Sequence, residues 1–159
     1  MSVLKNKRKE SKAEFVNESY QIYIQTLEFI SKLSARYSRL MASDISHTAF
    51  EVMRCAECAN AIFPSQAEHL KMRESYLQEA RANLKALDVA MSVCYDVLMK
   101  NPAGAFTTSS GKEVQANESI RKIDNMAQSL GEAIDNNIRL ITNVMKSDKE
   151  RFLKQHKEA

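Results

Sequence analysis

Apolar positions recur every three or four residues along almost the whole chain, the period of one face of an α-helix. From Ala13 to Leu33 the stripe is Val16, Tyr20, Tyr23, Leu27 and Ile30, with Phe15, Ile22 and Phe29 forming a second stripe beside it. From Tyr37 to Ile62 it is Met41, Ile45, Thr48, Val52, Cys55, Ala59 and Ile62, flanked by Ala42, Ala49 and Ala56, whose small size lets a neighbouring helix approach closely. Pro64 stops this second helix, because the residue before a proline is pushed out of the helical region. The third helix, from Glu68 to Lys100, carries Leu70, Arg73, Leu77, Ala80, Leu84, Leu87, Met91, Cys94 and Leu98, and Asn101-Pro102 ends it. The fourth, from Glu113 to Phe152, carries Ala116, Ile120, Ile123, Ala127, Leu130, Ile134, Ile138, Ile141 and Met145. No segment alternates in the manner of a strand. Two of the three connections are short, which favours antiparallel neighbours. The pattern predicts an all-α fold, an antiparallel up-down-up-down four-helix bundle over residues 13–152. A basic flexible tail (1–12) precedes it and a basic C-terminal tail (153–159) follows.

Composition fits this reading: 159 residues hold three Gly, two Pro and no Trp. One domain of this length buries a core without disulfides or metal. The three cysteines are an odd number and do not form a secreted disulfide framework. No apolar run approaches the ~20 residues that span a bilayer, and the start lacks the apolar segment of a signal peptide. A cytoplasmic protein without a membrane partner is expected.

Charge changes the picture more. The net charge is +3, but residues 1–12 hold five basic residues against one acidic, and 146–159 hold five against three. Up-down-up-down topology brings these ends to one pole. Lys32, Arg36, Arg39, Lys100 and Lys112 fall at the other, leaving an acidic waist. Basic poles suit phosphates, because each neutralised phosphate releases counterions. Lys5, Lys7, Arg8, Lys9, Arg36, Arg39, Lys149, Arg151 and Lys154 are the candidate nucleic-acid contacts. Flexible solubilising ends are the plainer use of the same residues.

Candidate chemistry is thin. Cys55 and Cys58 have C-x-x-C spacing, but the pair sits inside a helix without a second pair, and Cys55 and Cys94 fall on core stripes. Packing explains them better than metal or redox chemistry. Asp44 and His47 form one D-x-x-H pair, whereas a di-iron bundle needs two Glu-x-x-His motifs and further inward carboxylates. The segment GAFTTSSGK lacks the glycine spacing and preceding strand of a phosphate loop, and its serines suit a loop and an N-terminal cap for the fourth helix. No catalytic constellation, metal site or cofactor site is expected. Arg73 interrupts the third stripe with a charge, which must reach solvent, pair with an acid or meet an anion.

One family fits the order of these features. The segment KLSARYSRLMASDISHTAFEVMRCAECANAIFP resembles the helix 1–2 corner of the accessory variability determinants of diversity-generating retroelements. Those are four-helix-bundle proteins similar to the family encoded by intervening sequences of bacterial 23S rRNA genes. The resemblance rests on Lys32, Leu33, Arg36 and Tyr37 at the corner, Ala59-Asn60 near the end of helix two, and Arg73 followed by Ala80. The corner departs from the family's K-x-P-[KR] form, since Ser34-Ala35 stands in place of the proline and a basic residue. The resemblance implies a non-enzymatic homo-oligomer, a pentamer in that family, that binds RNA or DNA and a reverse transcriptase and assists mutagenic retrohoming. The second stripe of helix one, Phe15, Ile22 and Phe29, is then a candidate subunit contact. The rival expectation is an oligomeric scaffold or adaptor that binds protein alone, with disordered basic tails.

Overall fold

A computed structural model describes residues 13–157. The chain is all-α, built on four long helices: α1 (Glu14–Ile30), α3 (Ser43–Ala61), α4 (Ala67–Met99) and α5 (Ala116–Lys157). A single turn, α2 (Ala35–Tyr37), and a π-helical turn, Ser38–Ala42, run directly into α3. The expected second helix is therefore one rod with a π turn near its start. α5 begins three residues later than expected and continues five residues past Phe152. At 1.5 Å per residue its 42 residues span about 63 Å.

The helices pack cyclically. α1 lies against α3 and α5, and α4 lies against α3 and α5. The stripe of α4 was read from the sequence almost whole: Leu77, Ala80, Leu84, Leu87, Met91, Cys94 and Leu98 are all buried. Ala49 and Ala56 of α3 are fully buried beside Val52 and Cys55, as their size predicts.

α1 departs from expectation. Its core line is Phe15, Ser19, Ile22, Thr26, Phe29 and Ile30, while Tyr20, Tyr23 and Leu27 are half-buried. Phe15, Ile22 and Phe29 thus face the bundle interior, not a second subunit. Two hydroxyls complete the line by bonding back to their own helix. Ser19 Oγ donates to the Phe15 carbonyl at 2.7 Å, and Thr26 Oγ1 to the Ile22 carbonyl at 2.7 Å. Their polar atoms are satisfied, so burial costs little. In α5 the core likewise includes Ser119, Asn137 and Asp148, whereas Ala127 lies in solvent. Asn137 is fully buried and its Nδ2 donates to Ser19 Oγ at 2.8 Å, joining α5 to α1.

Each end of the bundle has its own closure. At one end the link 101–115 folds over the core and buries Ala105, Phe106 and Val114. The Ser34 amide donates to the Ala105 carbonyl (2.9 Å) and the Thr107 amide to the Lys32 carbonyl (3.2 Å), tying this link to the α1–α2 corner. Phe106 packs edge-on against Phe29, ring centroids 5.6 Å apart. Thr107 and Glu113 pair across a tight turn in which Gly111 takes φ 80°, a conformation that favours glycine. Ser110 bonds Thr108 within this turn and lies six residues before α5, so it does not cap the helix.

Arg73 closes the other end. Its Nε donates to Asp148 Oδ2 at 2.6 Å, and its Nη1 donates to the carbonyls of Ala59 (2.6 Å) and Ile62 (3.2 Å). One guanidinium thereby caps the end of α3 and links α4 to α5. Its charge is neither free in solvent nor open to an external anion.

Candidate nucleic-acid interface

The expected phosphate contacts fall into three groups. Lys5, Lys7, Arg8 and Lys9 lie outside the described residues. Arg36 and Arg39 are exposed on α2 and the π turn, where the corner is anchored by Leu33 and Tyr37, both buried. The Arg36 guanidinium sits 5.8 Å from the Tyr37 ring centroid. The π turn adds a residue to the helical repeat, so Arg39 and Leu40 project differently from a regular helix; Leu40 is 68% exposed. Lys149, Arg151 and Lys154 are exposed on the last turns of α5. Lys149 is committed to Glu74, Nζ to Oε1 at 2.6 Å. From the start of α5, near the corner, to Lys149 is 33 residues, or about 50 Å. The two described groups therefore sit at opposite ends and do not form one patch.

The corner end holds more cation than the candidate residues alone. Lys32 and Lys122 flank a shallow groove of about 260 Å³ between α1 and α5, with the Glu28 carboxylate and the polar Gln25, Asn125 and Ser129 on its walls. Lys122 bonds Glu118 at 3.0 Å and lies 5.9 Å from the Phe106 ring centroid. Arg121 beside it is exposed. Sequence reasoning passed over this pair, although the doublet Arg121-Lys122 early in the last helix was its signal. Between the ends, a groove of about 350 Å³ along α4 and α5 is lined by Asp88, Asp96 and Tyr95. Tyr95 Oη donates to Asp124 Oδ1 at 2.9 Å; that bond, with the nearby carboxylate charge, raises the phenol pKa. The carboxylates of this groove disfavour a phosphate there.

The cysteines fit packing. Cys55 and Cys94 are fully buried and all three thiols are free. Burial pushes the Cys55 thiol up to about 12, with help from the Glu79 carboxylate, and burial alone pushes Cys94 up to about 11. A nucleophilic or metal-ligating thiol needs the opposite shift. Among the described residues, the closest grouping of metal-type donors is Glu51, Cys55 and Glu79, with Cys58 outside it. Arg54 already bonds that trio: it reaches Glu51 at 2.7 Å and Glu79 at 3.4 Å, and its bond to Glu51 lowers that carboxyl's pKa. Asp44 and His47 are both exposed on α3, outside the core where a di-iron site would form.

Two results follow for the native protein. A thiol reagent at mild pH should modify Cys58 readily and leave Cys55 and Cys94 unreacted until the chain unfolds. Stability should also fall as pH rises above the ordinary thiol value of 9.0. There the unfolded chain gives up thiol protons that the folded chain still holds, so rising pH favours unfolding until the folded thiols ionise near 11 and 12. Chemical denaturation at pH 8 and pH 10 measures this on wild type against Cys55→Ala/Cys94→Ala, which should lose most of the excess pH dependence.

No helix of the described residues is long and apolar enough to cross a membrane. No family model matches the chain, and neither a curated protein nor a solved structure does.

Proposed function

We propose that this protein is a non-enzymatic, homo-oligomeric nucleic-acid-binding accessory protein of the cytoplasm. It would assist a reverse transcriptase in a diversity-generating retroelement, as the resemblance of its helix 1–2 corner implies. The observation that carries the reading is the placement of exposed cations at the two ends of the molecule, on either side of an acidic waist. Lys32, Arg36, Arg39 and Arg121 supply one end, and Arg151 and Lys154 the other. Such side chains hold a phosphate backbone without reading its sequence. The fold proposed for this role is the antiparallel up-down-up-down bundle. Contacts between the end of α3 and the start of α4 (Ala59–Arg73), the start of α4 and the end of α5 (Arg73–Asp148), and the end of α4 and the start of α5 (Tyr95–Asp124) support it. In the resembling family such bundles associate as pentamers, and that number is the proposed oligomer here.

A salt titration of binding to a structured RNA tests the reading. Affinity should fall linearly on a log-log plot with slope about −0.7 to −0.9 per phosphate engaged. Arg36→Ala/Arg39→Ala should flatten the slope by about 2. Removing residues 147–159 would confound the result, because Asp148 would go with them; Arg151→Gln/Lys154→Gln is the cleaner variant. Binding that ignores salt, or none at low salt, rejects the proposal and favours a scaffold that binds protein alone.

A further inference from the structure

α4 has two apolar faces. The inner one is the core stripe, and the outer one runs through Ala82, Ala86, Val89 and Val93, spaced four, three and four residues apart and all in solvent. Val89 is 63% and Val93 55% exposed. β-branched residues lower helix propensity, so on the outermost line of a solvated helix they are a cost without local return. Lys85 and Asp96, both exposed, flank this ridge on one side.

We propose that the ridge is a contact between two copies of this chain, α4 against α4, antiparallel about a two-fold axis level with Met91. The charges choose the direction. Parallel two-fold pairing would put the two copies' Lys85 and Asp96 flanks on opposite sides of the seam, where neither meets an opposite charge. The antiparallel register sets Val89 against Val93 of the second copy and Ala86 against the stem of its Asp96. It also brings Lys85 within one residue of the level of the second copy's Asp96, on the same side of the seam. Two-fold symmetry makes every one of these contacts twice. Ala82 and Ala86 let the two backbones approach closely. The ridge alone is smaller than the ~800 Å² a side of a standard stable interface, so the contact is weak and concentration-dependent. It is a contact between copies beyond those of the proposed ring. Being two-fold, it is separate from the head-to-tail contacts that would close a ring.

Sedimentation velocity of the full chain over a range of concentrations tests it. Wild-type mass should rise with concentration. Val89→Gln/Val93→Gln, which changes no charge, should weaken the self-association by about tenfold or more. Lys85→Asp and Asp96→Lys should each weaken it by about fivefold, and the two together should restore it to near wild type, because the exchanged charges again face each other. Wild type that stays a single chain at every concentration overturns the contact. So does a larger oligomer whose mass the valine changes leave untouched, though that result keeps the proposed oligomer. A combined swap no better than either single change overturns the antiparallel register. RNA affinity measured on the same valine variant should be unchanged per chain, so failure of the contact and failure of the nucleic-acid reading give different results.

Discussion

Replacing Arg73 by alanine should cost the fold about 3–5 kcal/mol and lower Tm by roughly 10 °C. The ion pair it forms is largely buried, with the Arg73 and Asp148 side chains 12% and 8% exposed. Truncation would leave Asp148 without its cation and return the Ala59 and Ile62 carbonyls to whatever water reaches them. Lysine should not rescue, since a single ammonium cannot reproduce a planar fork that serves a carboxylate and two carbonyls together. Asp148→Asn should cost less than Arg73→Ala, because the carbonyl contacts survive. Arg73→Met/Asp148→Leu should recover much of the loss, as apolar replacements of both members of a buried pair often do. Thermal and urea unfolding of these variants decides the matter. A loss below ~1 kcal/mol for Arg73→Ala would mean that the pair is solvated and idle.

Replacing Ile22 by alanine should cost about 2–5 kcal/mol, whereas Tyr20→Ala should cost under ~1.5 kcal/mol. Ile22 is fully buried among α1, α3 and α5, and deletion of its outer carbons leaves a cavity. Tyr20 keeps one side toward solvent. Urea denaturation ranks the two, and equal losses would mean that α1 is rotated from the position described. Unfolding and mass measured together on such variants check that Phe15, Ile22 and Phe29, buried within the single chain, serve the fold and not an assembly. A change that unfolds the single chain serves the fold; one that only lowers the oligomer's mass serves the assembly.

These two sites also show where the sequence was legible. α4 was readable because its inner line is apolar without a gap from Leu77 to Leu98. α1 was not, because Ser19 and Thr26 stand on its core line and look like surface. Nothing in the sequence says that their hydroxyls bond back to the helix. The role of Arg73 was unreadable because its acid lies 75 positions away in the chain. Phe106 looked like part of an open loop, and only the fold shows that it seals the corner end. The candidate interface was half legible. Its basic residues and their division between two poles are plain in the sequence, whereas the separation of about 50 Å follows from the length of α5, and Arg121 and Lys122 join the corner end only through the fold. The π turn at Ser38–Ala42, which sets how Arg39 projects, leaves no residue signature.

Ser19 and Asn137 carry a last consequence, for how the chain finds its own fold. Four helices with similar stripes can be assembled in several wrong orders, and apolar surfaces discriminate poorly among them. Ser19 gives its proton to the Phe15 carbonyl, so its oxygen is left to accept, and the Asn137 amide is placed to donate. In the native packing Asn137 Nδ2 meets Ser19 while its Oδ1 has no partner, and an arrangement that takes α5 away from Ser19 leaves the buried donor unmet as well. Such an orphan costs about 1–3 kcal/mol. The pair therefore works as a key, contributing little to the correct structure's stability and much to the penalty on its competitors.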